Sequence, residues 1–559
     1  MHTCVKVVWQ ERWCFAIAAL EELRMDRRNF LRIAGSAAGA AAMGAAAPGR
    51  KPNFLVILAD DMGFSDARCY GGDIDTPNLD RLAAGGVRFT QGYSTARCGP
   101  SRSCLLTGYY AQQTASDVMT PGNVPDYTRF LPEYLKPLGY RTYHSGKWHM
   151  RFATGPGGVG FDHSYTMLDE FRFFTQNRHE LDGQPLPKPG EGYYSTTAIS
   201  DYAVRFLKEH AQEHSQDPFF LFLAPHAPHF PLQAPAEDIA KYKDRFAEGW
   251  DVARERKHAR LRRMGLVNCA LAPLEANQWT KWNTPDAELI AKAGPGEVSR
   301  AVPWSTLTAE QKAFQRTKMA IHAAMVTRMD LEIGKVLGQL QAMGAERDTV
   351  VMFLSDNGAS SEQLIRGDGH DRTAPPGSAQ THLGLGPGWA SCSNAPFRLH
   401  KSWVNEGGIA SPLIVHWPNG LKDTGKLRHD PCHFVDVLPT VVDLAGGNTA
   451  RQGAPPLAGK SFAPAMQKDG AAPREFLYFN HNDNRAIRAG DWKLIATGPA
   501  GPWELYDLSK DRCEQHDLAS AQPDRVKKLA AWWTAQDAEY VRVREGAPAT
   551  TKLRLATAN

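Results

Sequence analysis

The chain has 559 residues, 64 Lys plus Arg against 60 Asp plus Glu, a formal net charge of +4, and 42% hydrophobic residues. This is the composition of an ordinary globular protein; the length suggests more than one domain with ample core, and the weak, dispersed basic charge gives no case for a nucleic-acid partner. Nine cysteines, an odd number without paired spacing or a Cys-x-x-Cys, support neither a disulfide scaffold nor a zinc site.

Arg27-Arg28-Asn29-Phe30-Leu31-Arg32 precedes an Ala-rich apolar run from Ile33 to Ala47. It resembles a twin-arginine export signal, with Ala45-Ala46-Ala47 as the cleavage region and Met25 as the start that fits it. Residues 1–24 fit no export signal. No other segment is long and apolar enough to span a bilayer, so there is no transmembrane segment and a periplasmic or secreted location is expected.

Asn53–Ala59 is a continuous apolar run, read as a central parallel strand that ends at Asp60-Asp61. Ligands of open α/β sheets sit at such carboxyl ends. Asp75–Asp80 opens a helix that stops at Gly85-Gly86. Next comes Cys98-Gly99-Pro100-Ser101-Arg102. Ser101 is placed as the cap of a helix opening after Pro100, which sets the Cys98 thiol near a helix N-terminus and Arg102 and predicts an acidic, reactive thiol. Gly139–His144 is a strand delivering Lys147 and His149. Pro218–Leu223 is another, running into His226 and His229, where prolines exclude the helix that a metal-binding His pair at this spacing needs.

Residues 246–303 read as a helical insertion, and Ile321 to Leu340 as a helix with an apolar stripe ended by Gly344. Thr349–Leu354 is a strand ending at Asp356 and Asn357, on the edge that carries Asp60 and Asp61. Three carboxylates and an amide oxygen make a hard site suited to Ca2+, or to Mg2+ in a tight cavity. Residues 359–393, rich in Gly and Pro, read as a mobile rim loop. Pro412–Pro418 is a further strand, and residues 433–440 open a helix. A Gly-, Pro- and Ala-rich linker follows over 448–472. The last part, 473–559, shows four short strands with polar turns and a helix carrying Leu529, Trp532 and Trp533, and Asn480–Asn484 is placed at the pocket rim.

Cys98-Gly99-Pro100-Ser101-Arg102 with Leu106-Thr107-Gly108 resembles the type I sulfatase signature, and the similarity extends over nearly the whole chain from Lys51. The resemblance implies an alkaline phosphatase-like α/β fold: a large, mostly parallel mixed sheet between helices, over 51–450, with a smaller C-terminal domain of antiparallel sheet plus helix. It implies that Cys98 is oxidised to formylglycine by a formylglycine-generating enzyme and joins Asp60, Asp61, Asp356 and Asn357 around the metal. Lys147, His229 and Lys401 then bind the sulfate. One hydroxyl of the formylglycine hydrate attacks sulfur, His229 helped by Lys401 protonates the leaving group, Arg102 adds positive charge, and His149 takes the proton from the second hydroxyl. His226 is a support residue. The implied substrates are sulfated small molecules or sulfated glycans. Two alternatives stay open: a phosphonate or phosphate ester hydrolase of the same superfamily, and a sulfoglycan-binding protein without turnover should Cys98 stay unmodified.

Overall fold

In the computed structural model, residues 51–117, 124–150, 155–278, 284–363 and 369–548 are described; the twin-arginine segment lies outside them. The main sheet is built from β1 (Asn53–Ala59), β2 (Val87–Tyr93), β3 (Arg141–Lys147), β4 (His163–Met167), β5 (His179–Leu181), β6 (Gln184–Pro185), β7 (Phe219–Ala224), β8 (Thr349–Ser355), β9 (Ala410–His416), β10 (Lys426–Arg428) and β11 (Cys432–His433). Their order is β10-β2-β9-β8-β1-β7-β3-β4-β5-β6, with β11 beside β2. The centre is parallel, β8 to β1 to β7 to β3 to β4, and β9 runs antiparallel between β8 and β2.

Every residue of β1 is buried. Leu55, Ile57 and Ala59 enter the core on one face, Phe54, Val56 and Leu58 the core on the other. A strand covered on both sides has no polar face to alternate with, which is why it reads as an unbroken apolar run. The first face is covered by α1 (Pro77–Gly85), α3 (Ser195–Glu213), α4 (Gly249–Arg263) and α6 (Ala309–Ala342); the second by α2 (Cys98–Thr107) and α8 (Val437–Leu444). Helix α6 starts in a capping box, with the Thr308 side chain accepting from the Gln311 N–H and the Gln311 side chain accepting from that of Thr308. The insertion contributes α4 and α5 (Asp286–Ala293), while its residues 279–283 lie outside the described set.

The smaller sheet is antiparallel, in the order β12 (Leu477–His481), β13 (Asn484–Ala489), β14 (Trp492–Ala496), β15 (Trp503–Asp507). One face packs through Leu477, Phe479, Ala486 and Ile495 onto Tyr93, Ala96, Val404 and Ile409. The other is covered by α9 (Pro523–Glu545) through Leu529, with Trp532 and Trp533 at its margin. A buried ionic cluster joins the sheet to the larger unit: Lys493 Nζ lies 2.9 Å from Glu406 and 2.7 Å from Glu514, and Arg512 Nε 2.8 Å from Glu406.

Four expectations are corrected. The helix after the Cys98 segment begins at Cys98 itself, and the Ser101 hydroxyl accepts from the Thr95 N–H at 3.0 Å instead of capping it. Cys269 and Cys513 form a disulfide, with Cα atoms 5.9 Å apart and a sequence separation of 244; no local spacing pattern can announce so distant a pair. Outside 364–368, which are not described, the expected rim loop ends in α7 (Pro387–Ser393), whose Trp389 is fully buried. The expected linker is tied down by a short helix, Ala463–Gln467, with Ala465 and Met466 in the core.

Candidate active site

Parallel register assembles the site. Ala59 of β1 pairs with Ser355 of β8, so Asp60 and Asp356 leave the sheet side by side. Gly146 of β3 pairs with Ala224 of β7, which sends Lys147 and His149 off the same edge as His226 and His229. Gly146 has φ +125, and a Cβ there would stand 2.1 Å from the Ala224 carbonyl oxygen, so only glycine allows the two strands to meet before Lys147. Several non-glycine residues with positive φ flank this edge: Asp61, Ala96, His149, Leu399 and Ser402. Asp61 and His149 carry side chains singled out from sequence, Ser402 adjoins one, and Ala96 and Leu399 lie two residues from one, a concentration of backbone strain that functional sites show.

The carboxylates are locked from two sides. The Asp61 N–H donates to Asp356 Oδ1 at 3.2 Å, and the Asn357 amide donates to Asp61 Oδ1 at 2.6 Å. Arg102, fully buried, donates to Asp356 Oδ2 at 2.9 Å and to the Lys147 carbonyl at 3.0 Å, and lies 3.5 Å from Asp60. Lys147 Nζ stands 2.5 Å from Asp60 and pairs with Glu170; Lys401 Nζ stands 2.8 Å from Asp61 and 3.3 Å from Glu362. Cys98 is buried, and one ligand atom each of Asp60, Cys98 and Asp356 lie within 4.8 Å of one another. All ten residues singled out from sequence thus occupy one cluster. His226 stands behind it, its ring stacked on Phe173 at 3.9 Å and 3.4 Å from the Ser195 hydroxyl.

The electrostatics describe an anion site that holds too much negative charge. Burial pushes the Asp60 carboxyl up, but Lys147, Arg102 and Lys401 outweigh it and hold it well below the usual range. Asp61 and Asp356 are raised, both by burial and by Asp60, the first also by Glu362 and the second by Cys98 and Asp61. Lys147 and Lys401 stay charged, because Asp60 and Glu170 beside the first, and Asp61 and Glu362 beside the second, overcome the cost of burial. The Cys98 thiol is raised by burial despite Lys147 and Lys401, which corrects the expectation of an acidic thiol; helix-end and lysine fields do not compensate lost hydration there. Burial lowers His149 to about 4 and His229 well below its ordinary value, so both rings are neutral at neutral pH.

The donor set fits a hard divalent cation. Oδ1 of Asp60 and Oδ1 of Asn357 are buried without accepting a hydrogen bond, a costly state unless a cation takes them; the other Asp60 oxygen is held by Lys147. Five carboxylates (Asp60, Asp61, Asp356, Glu170, Glu362) face four cations (Arg97, Arg102, Lys147, Lys401). A divalent ion would turn that excess positive, which an anionic substrate requires.

Three of these residues escaped the sequence reading. Glu170 pairs with Lys147 and lies 3.4 Å from His149 Nε2; it follows β4, and the strand-end argument applied to β4 would have found it. Arg97 donates to Glu362 at 2.6 Å and to the Ser402 hydroxyl at 3.1 Å. The expected rim segment reaches this point: His481 is buried, and burial and the charges of Arg97 and Lys401 bring it down to about 3, while Asn484 donates to the Ser402 carbonyl at 2.9 Å.

Comparison with known proteins agrees with this arrangement. The sequence profile of the family described as Sulfatase matches residues 52–447, and that of the N-sulphoglucosamine sulphohydrolase C-terminal region matches 398–532. The chain is 32% identical to an uncharacterised sulfatase of Schizosaccharomyces pombe, over 88% of this chain and 94% of that one. It is 31% identical to an arylsulfatase of Klebsiella aerogenes, over 72% and 88%, and 27% identical to N-acetylgalactosamine-6-sulfatase of Canis lupus familiaris, over 86% and 78%. Among solved structures, one described as in complex with its substrate D-glucosamine-2-N,6-O-disulfate superposes with a TM-score of 0.61 at 21% identity, over 88% of this chain and 98% of that one, a likeness of fold. With the signature cysteine, the paired lysines and the carboxylate cluster on one sheet edge, the chain belongs to the sulfatase family and is a sulfuric ester hydrolase.

Proposed function

We propose that the enzyme removes sulfate from a sulfated glycan or a smaller sulfated alcohol or phenol, using formylglycine formed from Cys98 and one Ca2+ held by Asp60, Asp61, Asp356 and Asn357. The observation that carries the reading is the convergence of Arg102, Lys147 and Lys401 on the Asp60 and Asp61 carboxylates beside Cys98, with Oδ1 of Asp60 and Oδ1 of Asn357 buried without a donor. Relatives that act on N-acetylgalactosamine 6-sulfate and aryl sulfates support the substrate class.

When bound, the cation supplies Lewis acidity and offsets negative charge developing on the sulfuryl group. Lys147 and Lys401 hold the sulfate oxygens, and Arg102 keeps Asp356 in place while adding positive charge. Formylglycine at position 98, once hydrated, would supply two oxygens on one carbon: one, having given its proton to solvent and been stabilised by Arg102 and the cation, would form the bond to sulfur as the bond to the leaving oxygen breaks, and the second would give its proton to His149 as sulfate leaves and the aldehyde re-forms.

His229 Nδ1 lies 2.7 Å from the Phe230 carbonyl, which fixes the ring N–H there and leaves Nε2 an acceptor, 3.8 Å from Asp61. To protonate the leaving group, His229 must take up a proton with the anionic substrate, whose charge offsets that of the two lysines; Lys401 is the other donor at hand. His229→Ala is therefore expected to slow alkyl and sugar sulfates by about 10²–10⁴, and activated aryl sulfates, whose phenolate leaves unaided, much less. Equal losses on 4-nitrophenyl sulfate and on a sugar sulfate would remove the proton-donor role.

The test of the main reading combines turnover and peptide mass. The purified enzyme is expected to hydrolyse 4-nitrophenyl sulfate in preference to the corresponding phosphonate, and its peptide over 98–102 to be lighter by about 18 Da, the difference between cysteine and formylglycine. An unmodified cysteine in fully active enzyme would overturn the formylglycine reading, and faster phosphonate turnover the choice of sulfate. Export by the twin-arginine route belongs to the same reading. The Arg27-Arg28 pair supports it, and the Cys269–Cys513 disulfide suits an oxidising compartment. Arg27→Lys with Arg28→Lys is expected to leave active enzyme in the cytoplasm; undiminished periplasmic activity would exclude this route.

A further inference from the structure

Strands β3 and β4 run parallel, with Lys147 beside Met167. The chain beyond each therefore leaves the sheet on one edge, and Glu170 arrives next to His149. One Glu170 oxygen, Oε2, pairs with Lys147, and the other, Oε1, lies 3.4 Å from His149 Nε2. Lys147 already has Asp60 at 2.5 Å, so compensating the lysine alone leaves the second Glu170 oxygen unused. Burial opposes ionisation of Glu170, but His149, Lys147 and His229 outweigh it and hold the carboxyl well below its usual range.

Both partners are held by their surroundings. The Gln176 amide donates to the Asp169 and Arg172 carbonyls, each at 2.9 Å, and the Phe173 N–H donates to Gln233 at 3.1 Å. The Phe171 ring stands 6.1 Å from that of His229 and 5.8 Å from that of Phe230. His149 has φ +48, and its carbonyl oxygen lies against the first turn of α2, where a Cβ on Gly99 would meet it at 3.2 Å. Its ring is neutral at neutral pH, since burial holds it at about 4, and so carries one N–H and one lone pair. An ionised carboxylate can only accept, which assigns the proton to Nε2, facing Glu170. Nδ1, buried and without a hydrogen-bond partner, then keeps the lone pair. A hydrogen bond to a base of this kind is often long until substrate is in place.

We propose that Glu170 is the positioning residue of His149: it accepts from the ring's Nε2–H, holds the tautomer whose lone pair lies on Nδ1, and so prepares His149 to take the proton that leaves position 98 as sulfate is expelled. The proposal rests on the sulfatase reading above and deepens it, because it separates two steps. Bond formation to sulfur, with loss of the alcohol or phenol, does not use His149. Expulsion does: the proton passes to Nδ1, the bond between carbon and the sulfate oxygen breaks, the aldehyde re-forms, and the ring later returns the proton to solvent. The Glu170 carboxylate offsets the positive charge that the ring gains meanwhile.

The experiment reads the tautomer and the step separately. In Cys98→Ala protein with isotope-labelled histidine nitrogens observed by NMR, and His149→Ala to assign the signal, the His149 ring is expected to carry its proton on Nε2. Adding Glu170→Gln should move it to Nδ1, since the new amide still offers an oxygen to Lys147 but can turn its NH2 to Nε2. The first of these readings needs no substitution at 170, so a Glu170→Gln protein that failed to fold would not shield the proposal. In the modified enzyme, Glu170→Gln is expected to lower kcat for 4-nitrophenyl sulfate about a hundredfold or more, and kcat/KM, which ends at phenol release, far less. Phenol should then appear as a burst of one equivalent, with sulfate retained on the peptide over 98–102. In a His149→Ala background the same substitution should cost no further kcat, and Glu170→Asp, which keeps the charge, should recover part of it. A wild-type ring protonated on Nδ1, a tautomer that Glu170→Gln leaves in place, or equal losses in kcat and kcat/KM without a burst would overturn the proposal and leave the sulfatase reading intact; the last is what a mere grip on Lys147 would give. A correctly modified wild type that cleaves no sulfate ester would overturn both.

Discussion

Cys98→Ser is expected to release at most one equivalent of phenol from an activated aryl sulfate and then stop, whereas Cys98→Ala is expected to release none. The difference follows from counting oxygens. Attack on sulfur needs one hydroxyl near Arg102 and the carboxylate cluster, and serine supplies it. Release of sulfate needs a second hydroxyl on the same carbon, whose proton His149 removes as the sulfate ester bond breaks, and serine lacks it. The introduced serine should accumulate as a sulfated residue, visible by peptide mass. Burial strengthens the expectation, because Cys98 sits among buried charges where bulk water has little access to hydrolyse the ester by another route. Repeated turnover by the serine variant would mean that residue 98 is not the covalent nucleophile. The unmodified cysteine is no substitute: a thiol raised by burial is a poor thiolate at neutral pH.

What the sequence made legible, and what it hid, divides along the range of the interactions. The strands β1, β7 and β8 could be read because burial on both faces leaves an unbroken apolar run, and the acidic and basic motifs at their ends then had to share one edge once the sheet was parallel. Asp60, Asp61, Asp356 and Asn357 came together on that argument alone. The start of α2 was misplaced because Gly99 and Pro100 look like a break, yet a proline in the first turn of a helix loses no hydrogen bond. Arg97 and Glu362 were missed because nothing local marks them, and Glu170 because the strand before it, β4, went unread. Glu170 earns its place only through Lys147, and Glu362, 265 residues beyond Arg97, only through that arginine and Lys401. The Cys269–Cys513 pair hid for the same reason. The tautomer of His229 was invisible as well, being set by a main-chain carbonyl one residue away.

The cation leads to the second large effect, one with an unusual sign. Neutralising a metal-site carboxylate with its shape kept should abolish turnover without costing the metal-free protein stability. Asp61 and Asp356 are held above the ordinary carboxylate range by burial and by neighbouring carboxylates, so without a cation the site carries repulsion that folding must overcome. Asp356→Asn removes one of those charges while its amide oxygen still accepts from Arg102, which keeps Asp60 as its remaining ionic partner. In a chelator, the variant is therefore expected to melt at or above the temperature of the wild type. With Ca2+ at about 100 times its dissociation constant the wild type should gain about 2.7 kcal/mol from binding to the folded state alone, and the variant, with a weakened ligand set, much less. The order of the two melting temperatures should thus reverse between chelator and Ca2+, while activity is lost in the variant under both. Asp356→Ala, which also takes the acceptor from buried Arg102, should melt below the wild type in either condition, since an orphaned buried guanidinium is costly. A full-sized Ca2+ shift in Asp356→Asn, or full wild-type activity after chelation and dialysis with no metal detected, would show that these carboxylates do not form the cation site.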